Sequence, residues 1–448
     1  MIAHGNEISA KVKSGTPLNI LFLTENFPPE TNAAATRVYE RACYWVKWGH
    51  DVTIITSVPN SPEGEIFPGY INRWRQVESV SGIRVVRVKT LIAANQGTTM
   101  RVLDFLSFMF TAFFAGLFER RPDLVCATSP QFFSAVCGWA LGLARRVPFV
   151  FELGDLWPES IVAVGVMQKR LGLRLMEKFE LFLYSRSATV IALTHSFKEN
   201  LMRRGINKNK IAVVLNGVDV WRYGPRARDH DLTAKFKLSG KFVVGYVGTH
   251  GMAHALSNVL DTAGRLIDRP KIVFLLAGGG AERDMLMAEA TRRKLTNVLF
   301  LPRQPKECMP KIWSLCDVAL VHLKDNPVFK GVIPSKMFEA MAMGLPIVMA
   351  GPKGEASTIL KATGAGLHVP AENPEKLAAV TIALASQPHR LAAISAKSLA
   401  AAPHYSRETQ ARLMLDAFSA VKMGDGHKAA RVVEVSLDNL VTAKKEQT

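Results

Sequence analysis

The chain has few cysteines and no pairing pattern among them. Its five (Cys43, Cys126, Cys137, Cys308 and Cys316) include no CxxC pair and stand at no short ligand spacing with histidine. That excludes a zinc site built on such spacings and a disulfide scaffold, and it points to a reducing compartment. The N-terminal stretch from Met1 to Pro17 lacks an apolar core, so it does not read as a secretory signal. Acidic residues are scarce: 38 Asp and Glu stand against 56 Lys and Arg, for a formal net charge of +18. This balance implies an anionic partner surface, whether nucleic acid, acidic lipid headgroups or phosphorylated substrates. No single-strand-binding or helix-turn-helix signature accompanies the charge, which argues against nucleic acid. Short-period repeats and low-complexity blocks are also missing.

What is present is an α/β pattern that runs twice. Leu18–Leu23 is a short apolar run, followed by a loop of turn and small residues from Thr24 to Thr36. A helical pattern then spans Arg37 to Gly49, and a second strand spans Asp51 to Thr56, making one βαβ unit. Further strands are expected at Arg84–Val88, Leu124–Ala127, Phe149–Glu152 and Thr189–Leu193. The alternation restarts at Lys241–Val247 and continues through Lys271–Ala277, Val298–Leu301, Val318–Val321 and Ile347–Ala350, with a helix from about Ala255 to Ile267. Each half therefore reads as a doubly wound α/β domain, with the Arg-, Gly- and Pro-containing segment Trp221–Asp231 as linker. The expected division is a flexible segment over 1–17, a first domain over 18–215, a second over 216–403, a C-terminal helix over 404–423 that packs back on the first domain, and a polar, loosely held tail over 424–448. Phe105–Phe118 is a fourteen-residue uncharged run with six phenylalanines. As a helix it is too short for the ~30 Å of a bilayer core. It fits a buried core helix or one lying in the plane of a membrane interface.

One acid stands out. Glu339 is the only acidic residue in the apolar stretch Met337–Met343. Pro334-Ser335-Lys336 before it reads as a helix start with Ser335 as cap, and Gly344-Leu345-Pro346 after it as the stop. A carboxylate on so apolar a helix needs hydrogen-bond donors. The vicinal hydroxyls of a ribose would supply them, with Lys336 one turn earlier facing a phosphate; capping of nearby backbone N–H groups is the plainer reading. Other candidates also follow strands, where open parallel sheets place their ligands. Gly248-Thr249-His250-Gly251 and Gly278-Gly279-Gly280 would let backbone approach a ligand closely, although neither fits GxxxxGK[ST] or GxGxxG and a tight turn explains each as well. His250 and His254 are candidate diphosphate donors or ordinary structural histidines. In the first half, Thr31–Arg37 offers small residues that leave room for a sugar and diphosphate, with Arg37 as a charge partner or a plain surface arginine. Glu152, Asp155 and Glu159 lie around a Trp-Pro turn, as hydroxyl-binding or proton-transfer groups or as helix caps.

Taken together, these residues resemble the family 4 glycosyltransferases of the two-domain GT-B fold, over about Leu18 to Val421. The resemblance is carried by Phe27-Pro28-Pro29-Glu30 with Arg37, Asp155-Leu156-Trp157-Pro158-Glu159-Ser160, Asn216-Gly217-Val218-Asp219, Gly248 through His254, and Pro334-Ser335-Lys336 through Gly344-Leu345-Pro346. Within the family the chain looks similar to enzymes of bacterial O-antigen, capsule and exopolysaccharide assembly, including L-fucosaminyltransferases. The resemblance implies two Rossmann-like domains facing a central cleft, a retaining transfer without a divalent metal, a donor bound mostly by the second domain and an acceptor by the first. In the family's E-x7-E pattern the second glutamate, on the ribose, corresponds to Glu339; the first corresponds to Gly331, a departure. The family's Arg and Lys diphosphate ligands are likewise replaced in the region of His250 and His254, and its first-domain histidine by Gly154, which leaves Asp155 as the sugar-contact candidate.

The expected catalytic set is thus Asp155, Lys336 and Glu339. The expected donor-binding set is Arg37, Thr249, His250, Gly251, His254, Gly279, Gly280, Pro334, Ser335, Lys336 and Glu339. The resulting expectation is an enzyme on the cytoplasmic side, peripheral at the inner face of the plasma membrane and held there by its positive charge. It moves an N-acetylated amino or deoxy sugar from a nucleotide diphosphate donor, UDP-linked, to a lipid-linked saccharide. No cofactor is expected beyond that donor substrate. A sugar-nucleotide epimerase of the same fold is the competing reading, and a non-enzymatic nucleic-acid binder the third.

Overall fold

In the computed structural model, residues 16–61, 64–92, 98–129, 132–156 and 170–436 are described. The chain begins with β1 (Asn19–Leu23), α1 (Ala33–Lys47) and β2 (Asp51–Ser57), then a hairpin of β3 (Arg75–Val80) and β4 (Ile83–Val88). It continues with α2 (Thr98–Leu117), β5 (Leu124–Thr128), α3 (Phe132–Arg145), β6 (Phe149–Leu153), α4 (Arg170–Arg186), β7 (Thr189–Ala192), α5 (His195–Arg203) and β8 (Ile211–Val213). These strands form one sheet in the order β3-β4-β2-β1-β5-β6-β7-β8. Leu21 of β1 lies opposite Thr53 of β2 on one side and Val125 of β5 on the other, both parallel. Strand order reverses at β1 and β5, which is where a doubly wound sheet opens its crevice.

The second half contains α6 (His230–Lys235), β9 (Phe242–Val247), α7 (Ser257–Arg265), β10 (Ile272–Ala277), α8 (Arg283–Arg292), β11 (Val298–Leu301), α9 (Met309–Ser314) and β12 (Val318–His322). Then come α10 (Lys336–Ala342), β13 (Ile347–Ala350), α11 (Glu355–Thr363), β14 (Gly366–Val369), α12 (Pro374–Ser386), α13 (Pro388–Ala401) and α14 (Arg407–Lys422). Its sheet is parallel throughout, in the order β11-β10-β9-β12-β13-β14. The strands read as unbroken apolar runs because both faces are covered. Val243, Val247, Leu275, Ala277, Ala319 and Val321 enter one core, while their neighbours Val244, Tyr246, Phe274, Leu276, Val318 and Leu320 enter the other. Both halves are thus Rossmann-like α/β sheets, the GT-B architecture.

By its internal contacts the chain divides into two compact units. One holds residues up to Phe151 with Arg186–Thr189 and Leu415–Ala429; the other holds Glu152–Ser185, Val190–Met414 and the residues from Ala430 on. Within the second unit the first amides of α5, from His195 and Ser196, both donate to the Glu355 carboxylate at 2.7 Å. A Cβ added at Gly331 would stand 2.9 Å from Ser196 Cβ, so this packing also leaves no room for the glutamate of the related pattern.

Three local expectations change. First, α1 starts at Ala33 rather than Arg37: Asn32 caps it, accepting from the Ala35 amide at 2.9 Å, and the small residues 33–35 are strong helix formers that extend it backward. Second, α2 is amphipathic. Phe108, Ala112 and Ala115 are buried while Phe110, Phe114 and Phe118 are exposed, so it is neither a wholly buried helix nor a spanning one. Among the described residues no helix is long and apolar enough to cross a membrane. Third, residues 424–436 are not loose. The Gly426 carbonyl accepts from Thr189 Oγ1 at 2.6 Å, and Ala429, Ala430 and Val433 are buried. Residues 437–448 lie outside the described residues. Within the first unit, Phe418 of α14 packs edge-on against Trp45 at 5.4 Å, and Lys422 Nζ sits 3.0 Å from Asp123.

Candidate functional site

In the second sheet the strand order reverses between β9 and β12, and the candidate residues collect at the carboxyl ends of those two strands. After β9 the chain turns at Gly248, whose φ of +147° is poorly tolerated by any other residue. A Cβ there would stand 2.6 Å from Lys336 Nζ, so glycine also clears the path of that side chain. Gly278 and Gly280 have similar φ values and a different role from the one expected. Their missing Cβ positions are filled by backbone of Gly248 and His250, not by open space. The His250 amide donates to Gly279 O at 2.8 Å and the Glu282 amide to His250 O at 3.0 Å. These glycines allow two strand-to-helix loops to run backbone on backbone. Gly279 is the roomier position, with its nearest neighbour atom 3.7 Å from an added Cβ.

The side chains behind these loops form a buried basic group. Lys336 is nearly sealed, its ammonium 3.6 Å from the centre of the Tyr246 ring and without a hydrogen-bond partner. Burial drives its pKa down from 10.5 to about 7, with Glu339 pulling the other way. His250 is fully buried, and neither ring nitrogen is hydrogen-bonded. Burial and the charges of Arg283 and Lys336 lower its pKa to about 4. His254 is held there by burial and by Lys336, and its Nδ1 lies 3.2 Å from His322 O. Burial also brings His322 to about 4, and its Nε2 lies 2.9 Å from Asn258 Oδ1. Around neutral pH the histidines are therefore neutral, each keeping one N–H to donate. Tyr246, which ties the group together, donates its hydroxyl to Thr249 O at 2.7 Å. Four basic side chains with two of them unpartnered would be costly in a finished core. They suit an arriving anion.

Glu339 follows Lys336 by one turn, on the half-exposed side of α10, while Met337, Phe338, Ala340, Met341 and Ala342 enter the core. Its Oε2 accepts from Trp313 Nε1 at 3.1 Å. Trp313 is fully buried, so the indole fixes where the carboxylate points. Ser335 takes a helical conformation and makes no side-chain cap, contrary to expectation, because Pro334 O already receives the Met337 amide at 3.0 Å and starts the helix there. Thr249 is exposed and Gly251, Pro334 and Ser335 are half-buried around this group.

The first-half candidates are local to their own elements. Arg37 is not a surface arginine: it is 4 % exposed, and its Nη2 donates to Thr128 Oγ1 at 3.1 Å, bridging α1 to the end of β5 across the reversal of strand order. Glu30 accepts from the amides of Phe27, Asn60 and Ser61 at 3.1, 3.0 and 2.8 Å, so the Pro-Pro-Glu motif serves to tie the loops after β1 and β2. Asp155 is half-buried after β6, and its charge helps raise the pKa of Tyr184. Glu152 is fully buried in β6. Glu159 and the Trp157–Ser160 part of that motif lie outside the described residues. Among the described residues no group of three or more His, Cys, Asp or Glu is arranged to hold a metal ion. Trp313 and His322 were not legible in the sequence; an apolar run containing one Trp and a strand ending in His carry no distinctive spacing.

Residues 32–217 match the "Glycosyl transferase 4-like domain" family, and residues 229–399 match "Glycosyl transferases group 1". The chain is 25 % identical over 336 residues to WcaI of Escherichia coli (strain K12), described as a colanic acid biosynthesis glycosyl transferase, covering 73 % of this chain and 82 % of that one. It is 27 % identical over 263 residues to WbjE of Pseudomonas aeruginosa, described as a glycosyltransferase, covering 58 % and 65 %. Among solved structures, Anabaena Alr3699/HepE in complex with UDP superposes with a TM-score of 0.67 at 18 % identity, covering 90 % of this chain and all of that one.

Proposed function

The chain belongs to the two-domain glycosyltransferases that join a 4-like domain to a group 1 domain, and from that premise we propose a retaining transferase of surface-polysaccharide assembly. Its donor is a nucleotide diphosphate sugar, UDP-linked, and its acceptor a lipid-linked saccharide. The polysaccharide it builds is an O-antigen, capsule or exopolysaccharide; the colanic acid description of the relative supports a role in polysaccharide assembly. The observation that carries the reading is the unpartnered Lys336, one turn before a carboxylate that Trp313 aims, with the unpartnered His250 in the same buried basic group. In this reading Glu339 accepts from the ribose hydroxyls, while Lys336 and the N–H groups of His250 and His254 receive the diphosphate. Gly279 leaves room for its oxygens. Arg37 is a charge partner for the diphosphate and Asp155 a contact for the sugar.

The transfer then needs no enzyme nucleophile. The acceptor oxygen bonds to the sugar's anomeric carbon as the bond from that carbon to the diphosphate oxygen breaks. Both events occur on one face, so configuration is retained. The hydroxyl proton passes to the departing β-phosphate, and UDP is released. Charge developing on the diphosphate is met by a preorganised cation in a dry setting, where it acts more strongly than in water. Positioning of the two substrates supplies much of the remainder. No metal takes part, so turnover undiminished by EDTA is the expected outcome. The enzyme works at the inner face of the plasma membrane, on the side where the nucleotide sugar is made.

The test is calorimetry with UDP, alongside product analysis by mass spectrometry and NMR with UDP-sugars and lipid-linked acceptors. Glu339→Ala removes charge-assisted hydrogen bonds and should weaken UDP by about ten- to a hundredfold. Unchanged affinity would remove the ribose assignment. An epimerised nucleotide sugar formed without acceptor would replace transfer by isomerisation.

A further inference from the structure

Helix α2 presents an apolar face that the fold leaves uncovered. Phe110, Phe114 and Phe118 recur every four residues and are 59 %, 46 % and 79 % exposed, forming one stripe about 12 Å long. On α3, which packs against α2, Leu143 is also 69 % exposed. Such an apolar patch is uncommon on a surface that meets only water.

The charges around the stripe are sorted by sign. The two acids of the segment are turned inward: Asp104 is buried, and Glu119 is buried between Arg75 at 2.6 Å and Arg84 at 2.9 Å, which hold its carboxyl below the usual range. The cations lie outward. Arg120, Arg121 and Arg146 are exposed where α2 and α3 end, and Arg145 donates to Leu117 O and Glu119 O at 2.7 and 2.8 Å, closing the end of α2 with positive charge. One exposed acid, Asp51, stands 3.4 Å from Arg120. An apolar stripe ending in outward arginines, with its own acids withdrawn, complements a bilayer interface: phenyl rings among the upper acyl chains and guanidinium groups among anionic headgroups.

The geometry points to the α2 stripe Phe110–Phe114–Phe118, with Arg120 and Arg121, as the surface by which this protein docks on an anionic lipid bilayer. The inference rests on the membrane half of the proposed function and adds to it the face that does the docking. Phe113, between two stripe residues, turns partly inward and packs edge-on against Phe114 at 5.7 Å. That contact holds the exposed ring in place from behind.

The experiment uses the full chain in vesicle flotation, with phosphatidylcholine alone and with an equimolar mixture of phosphatidylcholine and phosphatidylglycerol. Wild type should float with the anionic vesicles and much less with the neutral ones, and should be released by salt. The Phe110→Ser, Phe114→Ser, Phe118→Ser triple variant should lose about tenfold or more in partitioning. Arg120→Glu with Arg121→Glu should abolish the preference for anionic vesicles. UDP calorimetry on the same variants should be unchanged, which also shows that they are folded. Flotation of the triple variant equal to wild type would overturn the surface. So would a concentration-dependent dimer in sedimentation that the Phe substitutions dissolve, since the stripe would then cover a second copy. Vesicle binding without any UDP binding would leave the docking face standing and remove the transferase reading of the nucleotide site.

Discussion

Lys336 is held in a position that stability alone does not favour, and replacing it with methionine separates its two roles. Methionine keeps an apolar stem against Tyr246 and removes the ammonium. The unfolded chain holds the lysine proton up to about pH 10.5, whereas the folded protein holds it only to about 7. Between those values the unfolded state binds more protons, so the wild type gains stability as pH rises. At about 1.4 kcal/mol per unit, the buried ammonium costs up to about 4 kcal/mol at pH 7 and less than about 1 kcal/mol at pH 10. Lys336→Met should therefore be the more stable protein at pH 7, by about 2–4 kcal/mol after local relaxation, and the gap should nearly close by pH 10. UDP affinity should move the other way, falling at least about tenfold at pH 6, where the lysine is largely charged. Urea unfolding at the two pH values and calorimetry with UDP read both effects. A methionine variant less stable than wild type at pH 7, or a gap that does not change with pH, would refute the reasoning.

Other outcomes follow from the same group. Gly248→Ala places a Cβ 2.6 Å from Lys336 Nζ at a φ of +147°, so it should cost about 1–3 kcal/mol of stability and weaken UDP binding, both measurable on one sample. Trp313→Phe keeps a buried ring and removes the N–H that meets Glu339, so UDP affinity should fall by about three- to tenfold; unchanged affinity would show that the indole does not position the carboxylate. His250, His254 and His322 have folded pKa values of about 4 against 6.5 in the unfolded chain. Their contribution is complete above pH 6.5 and is lost as pH falls toward 4, because the unfolded state then takes up more protons. Thermal unfolding between pH 7 and 4.5 should show this loss, with a shallower decline in His322→Gln.

Much of the fold was readable because buried parallel strands leave unbroken apolar runs, and the restart at Lys241–Val247 marks the second sheet plainly. β3 was not readable: Arg75 and Glu78 give it a polar, edge-strand composition whose pairing depends on β4. Glu339 was visible because a lone acid in an apolar helix is a local anomaly. Its partner Trp313 was not, since their meeting depends on how α9 and α10 pack and not on any spacing. The same limit explains the glycines. Local sequence indicates that Gly278 and Gly280 permit close approach, but only the fold reveals that the approaching atoms are Gly248 and His250 backbone. Whether Arg37 was a charge partner or a plain surface arginine could not be read from the sequence, because its bond to Thr128 spans 91 residues.

The most direct measurement is a crystal structure of the protein with UDP. The diphosphate should lie within hydrogen-bonding distance of Lys336 Nζ and a His250 ring nitrogen, and the ribose hydroxyls on the Glu339 carboxylate while Trp313 Nε1 still donates to it. A nucleotide bound elsewhere, with Glu339 contacting only protein groups and Lys336 still unpartnered over Tyr246, would contradict this assignment.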